Sequence, residues 1–352
     1  MIESKYPQIP DESIDNRLSS QYINLLSERL GGSVIACSDE WFAESHNLIK
    51  SGRGIYKEGH FISTGQWMDG WETRRSFGRD QHKSEAEHSD WCILRLGIRG
   101  VIRGFDIDTN HFRGNAPQFA SVEAANAIND VDTSTKWTTI LPKSPLRSDR
   151  QNLFDCDNNR CWTHVRLKIY PDGGVARFRV YGTASVNPDH YVNGELVELS
   201  SVLNGGLGIS ASDSFFSSPG NLIMPGRGTN MGDGWETKRR RDAFNDWAII
   251  KLGIAGSILK VIVDTNHFKG NYPDRMSLEA ASLEAEEKPS AETAWQTVLS
   301  ERPIFAHRQH VFIKEIETSS TDEFNHVRVN IFPDGGLSRV KIIGKPNWKL
   351  LS

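Results

Sequence analysis

The feature that most constrains this chain is an internal duplication, because motifs of its first half return in the same order in its second half. Three of the paired motifs are SDEWFAESHNLI and SDSFFSSPGNLI, DGWETRR and DGWETKR, and DTNHFRGN and DTNHFKGN. The spacing between the copies changes only between motifs, so the length differences fall in loops. Such a repeat predicts two similar domains in tandem. We expect a polar leader over 1–20, repeats over 21–182 and 195–345, and a linker over 183–194.

The periodicity within each repeat is that of β-strands. In THVRLKIY the apolar Val165, Leu167 and Ile169 alternate with polar residues, which predicts a strand with one buried face. The polar residues between apolar ones, such as His164 here and Arg177 in ARFRVYG, are expected on the outer face. Short helices fit only the starts of the repeats and the SDEWFAESHNLI stretches. Short strands punctuated by Gly, Pro and Asn therefore predict an all-β fold of two tandem jelly-roll β-sandwich domains.

The composition excludes two classes of partner. The 352 residues include 41 Lys+Arg and 45 Asp+Glu, so no basic surplus exists to attract nucleic acid or an anionic membrane. The first thirty residues show no secretory signal pattern, and the longest apolar runs are too short to cross a bilayer. The four cysteines of the first half have no counterparts in the second, which argues against a disulfide framework and favours the cytoplasm. A bridge between Cys156 and Cys161 stays open as an alternative.

The DTNHFRGN motif is the sharpest candidate for chemistry. Asp108 ends a predicted strand in which Phe105 and Ile107 alternate with Asp106 on the outer face, and His111 follows in the loop. A histidine beside a carboxylate is suited to moving protons near neutral pH, and this loop is kept in both copies although loops normally diverge. The alternative is that the aspartate caps the loop and the histidine packs for shape. The candidates from this motif are Asp108, His111, Asp264 and His267 for catalysis, and Arg113, Asn115, Lys269 and Asn271 for substrate binding.

The DGWETRR motif begins with a turn signal and then places Trp, Glu and Arg side chains close together. An arginine fork can grip a planar carboxylate or ureido group through two hydrogen bonds, and a tryptophan wall would exclude water and strengthen them. The alternative is a turn followed by a strand whose Glu and Arg pair across it. The candidates are Glu72 and Glu236 for catalysis, and Trp71, Arg75, Trp235 and Arg239 for substrate binding.

The remaining motifs are interpreted as structural or left open. PDGG, at Pro171 and again at Pro333, has the residues of a tight hairpin turn. HKSEAEHSD offers imidazole and carboxylate groups together, but the second repeat deletes most of it, which favours a solvated loop over a metal site. Left open as anion contacts are the recurring residues Arg150, Gln151, Arg308 and Gln309.

Taken together, SDEWFAESHNLI, DGWETRR, DTNHFRGN, SVEA and YPDGGVARFRVYG resemble the allantoicase family, in both halves and over almost the whole chain. The resemblance implies a hydrolase of non-peptide C–N bonds that converts allantoate to (S)-ureidoglycolate and urea, in the degradation of allantoin for nitrogen. It also implies sandwich domains similar to galactose-binding modules, and usually a homo-oligomer. It assigns no catalytic role to individual positions.

The candidate residues suit that chemistry. Loss of urea requires a proton on the leaving nitrogen, water at the central carbon and an anchor for the carboxylate, and we expect the loop histidine to supply the proton. Asp108 or Glu72 would activate water and Arg75 would hold the carboxylate, or the equivalent residues of the second repeat would do so. A divalent metal ion is compatible with these side chains, but no ligand spacing requires one. The rival interpretations are a non-catalytic protein that binds a carbohydrate or other small molecule, and a hydrolase that frees ammonia from the ureido group.

Overall fold

The computed structural model describes residues 16–77, 79, 88–127, 131–284 and 287–350. The chain forms two compact units that divide between Ser185 and Val186. Each unit is built from antiparallel strands, and the motifs of each repeat occupy equivalent strands. The predicted all-β fold of two tandem jelly-roll sandwiches is thereby confirmed.

The strands of both units are short, with one long exception in each. In the first unit they are β1 Ile23–Asn24, β2 Ser33–Cys37, β3 Phe61–Ile62, β4 Gly65–Gln66, β5 Trp71–Glu72, β6 Asp90–Asp108, β7 Phe119–Ala125, β8 Thr138–Pro145, β9 Leu153–Asp155, β10 Cys161–Tyr170, β11 Gly174–Val175 and β12 Arg177–Ala184. In the second they are β13 Val197–Glu198, β14 Leu207–Ala211, β15 Trp235–Glu236, β16 Asp246–Asp264, β17 Arg275–Ala281, β18 Gln296–Pro303, β19 Gln309–Phe312, β20 Phe324–Phe332, β21 Gly336–Leu337 and β22 Arg339–Pro346.

The helical segments of the described residues are short 3-10 turns, four of them in the stretches where the sequence leaves room for short helices. They are Glu28–Leu30, Ser45–Ile49, Pro188–His190, Val202–Asn204, Pro219–Ile223, Met231–Asp233 and Trp348–Leu350. In the described part of the chain, no helix combines the length and the apolar character needed to span a bilayer. Free thiols are found at Cys37, Cys92, Cys156 and Cys161, so the bridge that the sequence leaves open does not form.

One long strand organises each unit. The 19-residue β6 pairs with β10 and β2 along its first half, and with β12 and β9 along its second half. Where the partners change, Gly100 lies so close to β12 that an added Cβ would sit 2.3 Å from the Thr183 carbonyl oxygen. The equally long β16 repeats the arrangement, first with β20 and β14 and then with β22 and β19. Each long strand therefore changes its partners along its length and ends at the motif aspartate.

The core follows the predicted alternation, with exceptions among the polar residues of both repeats. Val165 and the apolar residues two and four positions after it are fully buried. Asp106, His164 and Arg177 are buried as well, although the alternation places them on the outer face. The prediction is wrong for Asp106 and Arg177 because loops fold over that face and contact both side chains. The Arg177 guanidinium donates to the Asp69 carboxylate at 2.7 Å and to the carbonyl oxygens of Gly52 and Asp69.

Candidate active site

The DTNHFRGN loop is the centre of the candidate site, because it contacts four other segments of its own unit. These segments are the GRG loop at 52–54, the DGWET strand β5, the loop before β9 and the PDGG turn. The contacts are Asn110 to Gly54, Asn115 to Glu72, His111 to Asp149 and Gly174 to Asn115, with donor–acceptor distances of 2.9, 2.7, 2.8 and 2.8 Å. Loop residues that lie far apart in the sequence therefore meet at one end of the sandwich.

A buried phenylalanine explains how the motifs fit together. The ring of Phe112 packs against Gly70 and Gly174, where an added Cβ would lie 2.6 and 2.0 Å from ring atoms. The glycines of DGWET and PDGG are needed for this close approach. PDGG is not the predicted hairpin, because it leads from β10 into β11, which pairs with β5 instead. Its role is to bring β11 alongside the strand that carries Glu72.

The strand-end aspartates are buried ion-pair partners. Nε and one terminal nitrogen of Arg53 donate to the two carboxylate oxygens of Asp108, each at 2.9 Å, and the Asn110 backbone N–H donates at 3.0 Å. Asp264 is held in the same way by Arg227. This geometry fits the capping alternative that the sequence leaves open. A carboxylate enclosed by an arginine is poorly placed to activate water, so Asp108 is better suited to holding Arg53 at the site.

The loop histidines occupy strained backbone conformations. His111 and His267 have φ values of 69° and 71°, in the left-handed region that residues other than glycine rarely adopt. The ring of His267 bonds the Gly228 carbonyl through Nε2 at 2.9 Å, and the Gly54 carbonyl lies beside the ring of His111. Since a carbonyl only accepts, the bonded nitrogen carries the proton and the other ring nitrogen is left as an acceptor. Burial lowers the pKa of His111, with the Asp149 carboxylate acting in the opposite direction.

The motif glutamates meet the motif asparagines in both repeats. Asn115 donates to Glu72 at 2.7 Å, and Asn271 donates to Glu236 at 2.6 Å. Burial raises the pKa of Glu72, while the hydrogen bond from Asn115 opposes the shift. A carboxyl of this kind favours its protonated form more than an exposed one does. The structure thus brings together two residues that were predicted from different motifs.

The tryptophans lie in the interior, which contradicts their prediction as a wall of the site. Trp71 and Trp235 are fully buried. Their indole N–H groups donate to the backbone carbonyls of Asp39 and Asp213, at 2.7 and 2.9 Å. A buried indole needs such an acceptor, and these bonds hold the rings in the core. They support the motif from beneath rather than contacting a ligand.

The cationic candidates differ in whether their side chains already have a hydrogen-bond or ion-pair partner. Arg75, Arg239 and Lys269 are exposed, and their side chains make no hydrogen bond or ion pair to another described residue. Arg113 is also exposed, but its Nε donates to Asp149 at 3.0 Å. The first three are therefore available to a bound anion.

A second carboxyl group is buried beside Asp108 in the first unit. Asp106 accepts a hydrogen bond from Gln151 at 2.6 Å. Burial and the neighbouring Asp108 raise the pKa of Asp106 to about 7. In the second unit Ile262 takes this place, and Gln309 donates to the strand-end aspartate instead, at 3.2 Å. The two glutamines left open as anion contacts are thus used on internal carboxyl groups.

Metal binding has little support in the described residues. Among them, no group of three or more His, Cys, Asp or Glu residues is arranged to hold an ion. Most of HKSEAEHSD, including His82, Glu85 and Glu87, lies outside the described residues. Its interpretation as a solvated loop stays a prediction.

Two residues of the site were missed from the sequence. Arg53 belongs to a GRG tripeptide that recurs around Arg227, and this recurrence is a signal that could have found it. Asp149 has no such signal, because His307 stands at its place in the second copy. Its importance is visible only from its contact with His111.

Comparisons of sequence and structure with known proteins agree on one family. A family model described as the allantoicase repeat matches residues 23–185 and 197–347. The allantoicase of Dictyostelium discoideum is 44% identical over 92% of this chain and 87% of its own length, and a probable allantoicase of Pseudomonas paraeruginosa is 44% identical over 92% and 96%. The crystal structure of an allantoicase from Saccharomyces cerevisiae matches with a TM-score of 0.78 at 34% identity, covering 93% of this chain and 95% of that one.

Proposed function

The chain belongs to the allantoicase family, and on that premise we propose that the loop groups described above carry out its reaction. The protein is a hydrolase of C–N bonds, which converts allantoate to ureidoglycolate and urea. The proposal concerns which residues do this and in which roles. The observation that carries it is that one loop carries His111 and, through Asn115, also holds the half-buried carboxyl group of Glu72.

The reaction exchanges one bond at the central carbon of allantoate. That carbon bears a carboxylate and two ureido groups, and water replaces one of the ureido groups. A C–O bond forms to the water oxygen while a C–N bond breaks. One water proton must leave the attacking oxygen, and the departing nitrogen must gain a proton to become urea. The site therefore needs a base, an acid and an anchor for the carboxylate.

The surroundings of His111 and Glu72 indicate which residue acts as the base and which as the acid. His111, neutral and with one ring nitrogen free to accept, takes the proton from water. Glu72, whose pKa is raised by burial, gives its proton to the leaving ureido nitrogen. This reverses the roles expected from the sequence, because burial favours the neutral form of each group, an imidazole that can accept a proton and a carboxyl group that can donate one. His267 and Glu236 stand at the equivalent positions of the second repeat.

The arginines provide the anchor. Arg75 is exposed and without a side-chain partner among the described residues, so both of its terminal nitrogens can reach a carboxylate. Arg53 is held by Asp108 through two hydrogen bonds, which fix the direction of its guanidinium. A pre-oriented guanidinium binds a planar carboxylate with less loss of side-chain entropy than a free one. Asn115 fixes the carboxyl of Glu72 against this side of the site.

The test measures urea and ammonia separately after incubation with allantoate. We expect the wild type to release urea without ammonia. Each proton-transfer role is worth roughly a hundredfold to ten-thousandfold in rate, so the double variants Glu72→Gln/Glu236→Gln and His111→Asn/His267→Asn should lose at least that much. Asparagine suits the second pair because it tolerates the left-handed backbone.

The control is His190→Asn, which changes an exposed histidine outside the site and should keep full activity. Urea release that persists in both double variants would refute the assigned roles. Ammonia as the product would refute the reaction, and binding of allantoate without turnover would favour the rival binding protein.

We also propose that the protein works in the cytoplasm as a homo-oligomer. The free thiols among the described residues fit a reducing compartment. Large aromatic side chains, among them Phe77 and Phe244, are exposed and are suited to a subunit contact. Light scattering on the purified chain tests the second point, since a monomeric mass at micromolar concentration would refute it.

A further inference from the structure

The contact that holds His111 in its left-handed conformation is made by another left-handed residue. Asp149 has a φ of 55°, and its Oδ1 accepts the backbone N–H of His111 at 2.8 Å. Its Oδ2 accepts Nε of Arg113 at 3.0 Å, and its own N–H donates to the Phe112 carbonyl at 3.2 Å. Asp149 is thus joined to the backbone or side chain of three consecutive residues. Strain kept by this many bonds is typical of a functional site.

The second repeat keeps the geometry of this contact but changes its chemistry. His307 has a φ of 53°, and its Nδ1 accepts the backbone N–H of His267 at 2.9 Å. The two imidazole rings lie edge to face, with centroids 5.9 Å apart. An imidazole thus stands beside His267 where a carboxylate stands beside His111. The strained backbone is preserved in both copies, whereas the anion is present only in the first.

We propose that Asp149 is the positioning residue for His111, and that it makes the first repeat the one that turns allantoate over. This inference rests on the proposed function, since it assigns His111 as the base. Asp149 fixes the backbone that carries the imidazole beside Gly54, and so fixes the direction in which the ring points. Its charge also stabilises the imidazolium that forms when His111 takes a proton from water.

The charges facing His111 make Asp149 the anion that matters there. From its own loop His111 faces Arg113, and from the loop before β3 it faces Arg53 and the ring of Tyr56. Both guanidiniums disfavour a positive imidazole. Asp108 lies at the base of the same loop, with its carboxylate bound to Arg53. Asp149 is therefore the carboxylate placed to support proton uptake by His111.

Two further differences make the first site the more enclosed one. The ring of Tyr56 lies tilted beside that of His111, on a longer loop that contains the β3–β4 hairpin, and the second repeat has a shorter connection at that place. The side chain of Arg53 is 17% exposed, whereas that of Arg227 is 52% exposed. Water exclusion strengthens electrostatic interactions with a bound anion. The residues around the first histidine are thus better suited to binding and turnover.

The experiment separates the geometry of Asp149 from its charge. Asp149→Asn keeps an oxygen that accepts from His111 and keeps a residue that tolerates positive φ, but it removes the charge. We expect the pH at which kcat/KM falls on the acid side to move down by about half a unit, because loss of a nearby anion lowers the pKa of His111. Asp149→Ala removes both effects, and kcat should fall roughly tenfold or more, with less change in KM. Asp149→Gly also removes the carboxylate, and glycine tolerates a positive φ, so this variant replaces Asp149→Ala if the alanine variant does not fold.

The matched control is His307→Asn, which keeps an acceptor for the His267 N–H and removes no carboxylate. It should retain full activity and the same acid limb. A twofold or smaller loss in Asp149→Ala, an unmoved acid limb in Asp149→Asn, or an equal loss in His307→Asn would each overturn the inference while leaving the proposed function standing. If the wild type released no urea, the proposed function itself would fail.

Discussion

The buried carboxyl group of Asp106 leads to a strong prediction about stability. Burial and the neighbouring Asp108 raise the pKa of Asp106 to about 7, against an ordinary value of 3.8. Between these two pH values the folded chain keeps a proton that the unfolded chain has released. Because the folded state binds more protons in this window, stability falls as the pH rises through it. The charged form of Asp106 therefore costs free energy at pH 8 and nothing at pH 3.

The magnitude follows from the size of the shift. A difference of about three pKa units corresponds to roughly 4 kcal/mol at about 1.4 kcal/mol per unit, and this difference already includes the lowering of the pKa by Arg179 and Arg53. Asp106→Asn removes the ionisation and keeps an oxygen for the hydrogen bond from Gln151. We expect the variant to be more stable than the wild type above pH 7, by up to that amount. The advantage should shrink steadily as the pH falls toward 4.

The assay is urea unfolding of both proteins at pH 5 and at pH 8, followed by tryptophan fluorescence. The difference between the variant and the wild type cancels the groups that titrate in both proteins. Ile262 stands at the equivalent position, so the second repeat has no counterpart of this effect. If the variant changes the free energy of unfolding equally at both pH values, Asp106 ionises normally and the reasoning is refuted.

Three other changes test the interior and the anchor. Trp71→Ala should lower the free energy of unfolding by about 3–5 kcal/mol, because it leaves a cavity and an unpaired Asp39 carbonyl, and urea unfolding measures it. Arg177→Met should cost a similar amount, about 3–5 kcal/mol, since it leaves the Asp69 carboxylate without its partner, and the same assay applies. Arg53→Lys keeps the positive charge but loses the two parallel hydrogen bonds of the guanidinium, so steady-state kinetics should show KM for allantoate raised roughly tenfold. An unchanged KM would show that Arg53 does not bind the carboxylate.

The architecture of this chain could be predicted from the sequence because the duplication tests each pattern twice. Alternation in β10 and in its copy marks the same buried face, and the loops show themselves by changing length between copies. Glu72 and Asn115 could be named as site residues, since both belong to motifs that recur. Their contact could not be predicted, because it depends on how two distant loops meet.

The predictions that the structure contradicts failed for physical reasons. A period-two pattern assumes that the outer face of a strand meets water, and loops cover that face over Asp106 and Arg177. The composition of DGWETRR says nothing about which side chain turns inward, and Trp71 does so because its indole finds a backbone acceptor. The acid and base roles depend on burial, which changes both pKa values in directions that the residue types alone do not give. Asp149 was missed because its copy is a histidine.

The continuity of β6 has a consequence for how the first unit unfolds. The first half of this strand is bonded to β10 and β2, and its second half, which ends at Asp108, is bonded to β12 and β9. A fluctuation that separates either set of partner strands from β6 must disturb the same continuous backbone. The strands on either side of β6 should therefore exchange their amide hydrogens as a single cooperative block, and the rim that carries His111 should be as rigid as the centre of the sandwich beneath it.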